Sequence, residues 1–175
     1  MAKTKNLARI ALGAAALTLC AWIAVPTPVP FTMQSMAVLT VAALLGPKLG
    51  CASVAVYLLL GAVGMPVFSG FRGGVQALLG PTGGYLLGFL LCALLTGWAA
   101  QRSRTRYTMA AGMACGMFAC YGFGTVWYAI GYGAGDITAI LMACVVPFLL
   151  PDAIKLALSV IMVHRIRKDG IMNQI

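Results

Sequence analysis

The sequence predicts an all-α, polytopic membrane protein with six transmembrane helices and a glycine-rich outer connection between the third and fourth. Three observations carry that prediction. Of 175 residues, 62% are apolar and only 9% charged, whereas water-soluble domains carry about 25% charged residues. The apolar residues gather in long runs, and a bilayer-spanning helix needs roughly 20 of them. The twelve Lys and Arg residues fall in short groups between the runs, which encodes membrane orientation and does not form the clustered stripe of a nucleic-acid reader. Six spans need about 120 residues, so residues 1–175 form a single transmembrane domain with no room for a soluble one.

The first predicted helix, 8–25, follows Lys3, Lys5 and Arg9. A basic front before an apolar middle is also the form of a signal peptide. A cut after Ala24 would put Trp22 where a small residue is wanted, so the run is retained as a helix. It ends at Pro26, Pro28 and Pro30, which remove backbone donors and force an extended crossing. The second and third helices, 32–45 and 49–63, are separated by a tight turn at Gly46-Pro47-Lys48. Glycines 64, 70, 73, 74 and 80, with Pro66, then make a stretch too broken for a regular helix. Unpaired backbone cannot face lipid, so this stretch must lie at the interface, pack inside protein or line a polar cavity. The fourth helix, 81–101, is stopped by Arg102, Arg104 and Arg106, and the fifth covers 107–132. After a turn containing Asp136, the apolar piece 137–146 is too short to span and reads as a lid or interfacial segment. The sixth helix, 147–164, runs from Pro147 to His164.

With both termini cytoplasmic, ten of the twelve basic residues lie inside. Arg72 falls in an outer connection and Lys155 within the sixth span. That bias orients a multi-pass protein of the plasma membrane.

Asp152 and Lys155 are the sharpest chemical feature. An ionisable group at the centre of a membrane helix costs about 2.5–3.5 kcal/mol on insertion scales. Three residues apart, the two share a helix face, about 18 Å above His164 at 1.5 Å per residue, which is the outer half of the membrane. They form either a self-neutralising structural pair or a polar ligand site open to the outside. Gln34, Arg72, Gln76, Thr82 and Tyr85 converge on the same level. Singly they also suit caps, a headgroup anchor or a belt residue; together they outnumber what capping requires. Trp127, late in the fifth helix, is either an apolar wall for a ligand ring or a belt residue. In the first helix, Ala11 and Ala15 stand in small-xxx-small spacing, suited to close helix contact within the chain or with another membrane protein. The six cysteines lie in apolar runs without CxxC spacing, so neither a metal site nor a disulfide framework is expected. No cofactor is expected.

The chain resembles the BioY group, the biotin-specific S components of energy-coupling-factor transporters. The resemblance rests on Pro28-Val29-Pro30-Phe31-Thr32 with Gln34, on Leu45-Gly46-Pro47-Lys48, and on Gly64-Met65-Pro66-Val67-Phe68 with Gly73-Gly74. It continues through Leu79-Gly80-Pro81-Thr82-Gly83-Gly84-Tyr85-Leu86-Leu87-Gly88-Phe89 and through Pro147-Phe148 before Asp152 and Lys155. It implies a protein that captures biotin from outside and works with a membrane coupling subunit and two cytoplasmic ATPases. By the same resemblance, Asp152 accepts from the ureido nitrogens and Lys155 donates to the ureido carbonyl. Arg72 and Gln76 hold the carboxylate, Tyr85 and Trp127 lie against the apolar parts, and the face around Ala11 and Ala15 meets the coupling subunit. At Arg72 the family pattern often carries a smaller polar residue.

Two other classes are open to an intramembrane carboxylate. An enzyme would use Asp152 as general acid or base, but no second intramembrane carboxylate, metal cluster or nucleophile–base pair accompanies it. A proton-coupled or stand-alone carrier would use it as a proton site; no internal repeat of the carrier kind is visible. The chain has no phosphate-binding glycine loop ending in Lys-Ser/Thr, so ATP-driven work falls to partners.

Overall fold

A computed structural model describes residues 2–25, 31–102, 105–132 and 137–169. The prolines at 26, 28 and 30, Arg104 and Asp136 lie outside the described residues. In chain order the elements are α1 (Ala2–Trp22), β1 (Ala24–Val25), β2 (Phe31–Thr32), α2 (Gln34–Ala62), α3 (Val75–Leu79), α4 (Gly83–Arg102), α5 (Arg106–Gly131), α6 (Ile137–Cys144) and α7 (Val146–Lys168).

Several predicted bounds need correction. Helix α1 begins at Ala2 rather than residue 8, because Ala, Lys and Leu are good helix formers whether or not lipid surrounds them. It stops at Trp22 rather than 25, since Ala24 and Val25 pair antiparallel with Thr32 and Phe31. That short ladder lies between α1 and α2 in chain order. The stretch read as too broken for a helix contains the five-residue α3. The piece 137–146 is divided: α6 ends at Cys144, and α7 starts at Val146 with Pro147 in its first turn, where a missing N–H costs nothing. At its far end α7 runs on to Lys168.

Element α2 consists of two helical arms joined at an elbow at Gly46, with φ 82° and ψ 178°. That conformation is open to glycine and strained for other residues. The arms 34–45 and 47–62 double back on each other. A Cβ placed on Gly50 would lie 2.9 Å from the Cα of Ala42, and the Gln34 amide donates to the Tyr57 hydroxyl at 2.8 Å across 23 positions of sequence. A straight helix would separate those two residues by about 35 Å.

Around this hairpin pack α1, α4 and α7, with α5 against α4. Leu17, Val38, Leu39, Val54, Tyr57, Met113 and Val163 form the fully buried core. Helix α1 approaches both arms at Gly13, where a Cβ would sit 2.5 Å from Ser53 Oγ and 3.0 Å from Val41 Cγ1. Ala11 and Ala15 are exposed, away from that contact. Among the described residues, four segments are long and apolar enough to cross a membrane: Gln34–Ala62, Gly83–Arg102, Arg106–Gly131 and Ile140–Lys168.

One end of the bundle carries Lys48, Arg102, Arg106, Arg165 and Lys168. There the Arg167 guanidinium donates to Ala43 O at 2.6 Å and to Ala100 O at 3.2 Å. These carbonyls belong to the last turns of the first α2 arm and of α4, where helices leave acceptors unpaired and favour a cation. Arg167→Ala is expected to destabilise the fold by about 2 kcal/mol, the worth of charged hydrogen bonds, read as a lower thermal midpoint in detergent. Arg167→Lys should recover only part, because an ammonium lacks the guanidinium fork.

Candidate functional site

At the opposite end, residues 63–82 fold over the bundle. Val67 and Phe68 turn inward and are buried. The Phe68 ring meets Tyr57 edge-on, with centroids 5.4 Å apart, and Gly61 makes room for it: a Cβ there would lie 1.9 Å from the ring. The Phe68 N–H donates to Arg72 O at 2.9 Å, closing a tight turn through Gly70 and Phe71. Aromatic donors hold the edges of this cover. The Trp22 indole N–H donates to Pro66 O at 2.8 Å, and its ring lies 5.0 Å from that of Phe71. From α5, Trp127 donates to Gly80 O at 3.2 Å and the Tyr132 hydroxyl donates to Leu79 O. These carbonyls end α3, where acceptors would otherwise be orphaned.

Beneath the cover is a cavity of about 310 Å³. Phe68, Leu86, Phe89, Met117 and Phe148 make much of its wall, with the thiols of Cys92 and Cys120 beside them. Its polar end is built on α7. Asp152 and Lys155 are only 6% and 4% exposed, so each charge depends on protein partners. Lys155 Nζ lies 2.7 Å from Asp152 Oδ1. It also donates to Thr32 O at 2.6 Å and to Ser35 Oγ at 3.2 Å, and sits 3.9 Å from the centre of the Phe31 ring. The short β-ladder therefore presents a carbonyl and a π face to the ammonium. Asp152 Oδ1 also accepts from Ser35 Oγ at 3.1 Å, and Oδ2 accepts from the Tyr121 hydroxyl. Thus α2, α5 and α7 meet at one carboxylate.

The structure brings together seven of the eight side chains expected at the ligand: Gln34, Arg72, Gln76, Thr82, Tyr85, Asp152 and Lys155 all line the cavity. Trp127 is placed elsewhere, packed over Gly84 with its N–H on Gly80 O. The Lys155 ammonium is engaged within the protein. An ammonium has three N–H donors, and Thr32, Ser35 and Asp152 take all three. The Arg72 guanidinium makes no hydrogen bond or ion pair to another described residue, and Arg72 is exposed where it lines the cavity.

Sequence reasoning missed Ser35, Tyr121 and Phe31. Ser35 is adjacent to Gln34, a signal that was there to follow. Tyr121 lies amid an apolar run and shows itself only once the register of α5 against α7 is known.

The sequence profile of the BioY family matches residues 1–170. The chain is 39% identical over 166 residues to a biotin transporter BioY of Thermotoga maritima, covering 94% of this chain and 96% of that one. It is 37% identical over 168 residues to a probable biotin transporter BioY of Pyrococcus horikoshii, covering 94% and 98%. The crystal structure of the S-component for biotin from an ECF-type ABC transporter superposes with a TM-score of 0.87 at 30% identity, covering 95% of this chain and 92% of that one. Sequence profile, relatives and fold agree across nearly the whole length, and the chain belongs to the BioY family.

Proposed function

We propose that this chain is the membrane-embedded biotin-binding subunit of an energy-coupling-factor transporter, taking up biotin with ATP hydrolysis supplied by partner subunits. The observation that carries the reading is the charge layout of the cavity. Asp152 and Lys155 cancel at one end, and Arg72, exposed and paired with no described residue, adds a positive charge in the wall. A ligand with a polar neutral head and an anionic tail suits that layout, and biotin has a ureido ring at one end and a carboxylate at the other. The volume lies near the lower bound of small-molecule cavities, about 300–1,000 Å³.

In this reading the ureido N–H faces the remaining lone pair of Asp152. Gln34, whose amide keeps a second hydrogen after bonding Tyr57, meets the ureido carbonyl. Arg72 and Gln76 take the carboxylate, with Thr82 beside them, and Tyr85 lies along the acyl chain. Lys155 fixes the carboxylate rather than touching the ligand, and Trp127 supports the cover. The domain spans the plasma membrane six times: α1, the two arms of α2, α4, α5 and α7. Both termini are cytoplasmic, and the segment 63–82 lies outside. The exposed Ala11 and Ala15 provide the close-packing face for the membrane coupling subunit, which in turn carries the two ATPase subunits.

Titration of the purified protein with biotin, thiamine and riboflavin tests the reading; biotin alone should bind tightly, and equal or absent binding of biotin would overturn it. Arg72→Gln tests the tail assignment. It should weaken biotin about tenfold or more, the value of a charged hydrogen bond, and leave the affinity for biotin methyl ester nearly unchanged. An equal loss for acid and ester would remove Arg72 from the carboxylate site.

A further inference from the structure

The polar end of the cavity raises a question that the ion pair alone does not answer: how the site tells a neutral urea from a cation of the same shape. A buried carboxylate in a membrane protein should favour the cation, because an opposite charge gains more than a neutral donor does. The surroundings of Asp152 oppose that preference. A carboxylate offers about four acceptor positions. On Oδ1, Lys155 at 2.7 Å and Ser35 at 3.1 Å are both donors, and on Oδ2 the Tyr121 hydroxyl is a third. Lys155 neutralises the charge from α7 itself, while Ser35 comes from α2 and Tyr121 from α5. Ser35 and Tyr121 also line the cavity, so each stands where a ligand would arrive.

Resting on the biotin-binding reading, we infer that Tyr121 is a specificity-determining residue that limits Asp152 to a single ligand N–H and so selects a cyclic urea over the matching cyclic guanidinium. The two flanks of these ligands differ in hydrogen-bonding pattern. On a cyclic urea, one N–H donor stands beside a carbonyl acceptor, so one free lone pair on Oδ2 is enough. On a cyclic guanidinium, two parallel N–H donors stand side by side and call for a fork of two free acceptors. With three positions filled, Asp152 has no fork to give. Lys155 cannot turn to the guanidinium, since it carries only donors and the same sign of charge. The Tyr121 hydroxyl, donating its O–H to Oδ2, further reduces the negative potential that a cation would seek. Removing that hydroxyl restores acceptor capacity on Oδ2 without touching the ion pair.

The experiment compares biotin with 2-iminobiotin, which has the same bicycle and tail but carries a guanidinium protonated at neutral pH. Affinities of both are measured on purified wild-type protein and on Tyr121→Phe. The expected result is that wild type prefers biotin and that Tyr121→Phe narrows the ratio about tenfold, the scale of one hydrogen bond to a charged group. A purely structural role for Tyr121 would weaken both ligands alike, and an unchanged ratio overturns the inference whatever the absolute affinities. If Tyr121→Phe fails to fold, Ser35→Ala removes a different donor from the same carboxylate. It should shift the ratio in the same direction, and no shift there also overturns it. Failure of wild type to bind biotin at all is a separate outcome, striking at the biotin reading before selectivity is measured.

Discussion

Asparagine at position 152 is expected to weaken biotin binding about a hundredfold, because a hydrogen bond to a charged acceptor contributes about 1.5–3 kcal/mol and 1.4 kcal/mol is a factor of ten. The substitution has a second effect. It leaves the Lys155 ammonium, 4% exposed, without its counter-charge, and breaking a buried pair on one side costs about 3–5 kcal/mol. Affinity and stability therefore fall together in Asp152→Asn, and a second variant separates them. In Asp152→Asn combined with Lys155→Met, no uncompensated charge remains, so the thermal midpoint should recover much of the loss, since a buried pair replaced by neutral residues is often tolerated. Biotin binding should not recover, because a neutral amide oxygen still replaces the charged acceptor for the ureido N–H. Wild-type affinity in the folded single variant, or return of affinity in the double, would show that Asp152 does not touch the ligand.

The other large effect falls far from the cavity. A Cβ on Gly97 of α4 would lie 2.5 Å from Pro47 N and 2.7 Å from Gly46 C. These are backbone atoms of the α2 elbow and cannot swing aside as a side-chain tip would. Overpacking of this kind costs about 1–3 kcal/mol, and Gly97→Val, with two further methyl groups, belongs at the upper limit. At about 2–4 °C per kcal/mol for a chain of this length, the midpoint should fall by roughly 6–12 °C. Biotin affinity should drop as well, since the elbow sets where the first arm of α2 delivers Gln34 and Ser35. Gly122→Ala is the control: nothing lies within 4 Å of a Cβ there, and its midpoint should stay at the wild-type value. Coincident melting of Gly97→Val and wild type would mean that α4 and the elbow do not pack as described.

Much of this arrangement was legible before any coordinates. The bounds of α4 and α5 fall within two residues of the predicted ones because both helices begin or end at basic groups, where transfer energy changes abruptly. Asp152 and Lys155 were conspicuous because charge in an apolar helix is costly, and Arg72, Gln76, Thr82 and Tyr85 followed from polarity at one level. The contributions of Tyr121 and Phe31 were illegible for the converse reason. A hydroxyl or a ring in an apolar run carries little energetic penalty, so nothing singles it out until three helices are in register. Trp127 shows the limit from the other side. Its amphipathic chemistry suits a ligand wall, a belt or a backbone clamp equally, and packing over Gly84 chose the clamp. The exhaustion of Lys155 by Thr32, Ser35 and Asp152 depends on where a two-residue ladder brings one carbonyl, which no periodicity encodes.

Helix α1 gives no side chain to the cavity wall, yet Trp22 ties its last turn to Pro66 and Phe71. The helix and the roof are thus joined through one indole. A shove of one ångström along the α1 axis must either stretch that 2.8 Å bond past its useful length or drag the 66–72 turn, with Phe68 and Arg72, by the same amount. Mechanical work applied to a helix on the perimeter is in this way delivered to the mouth of the chamber.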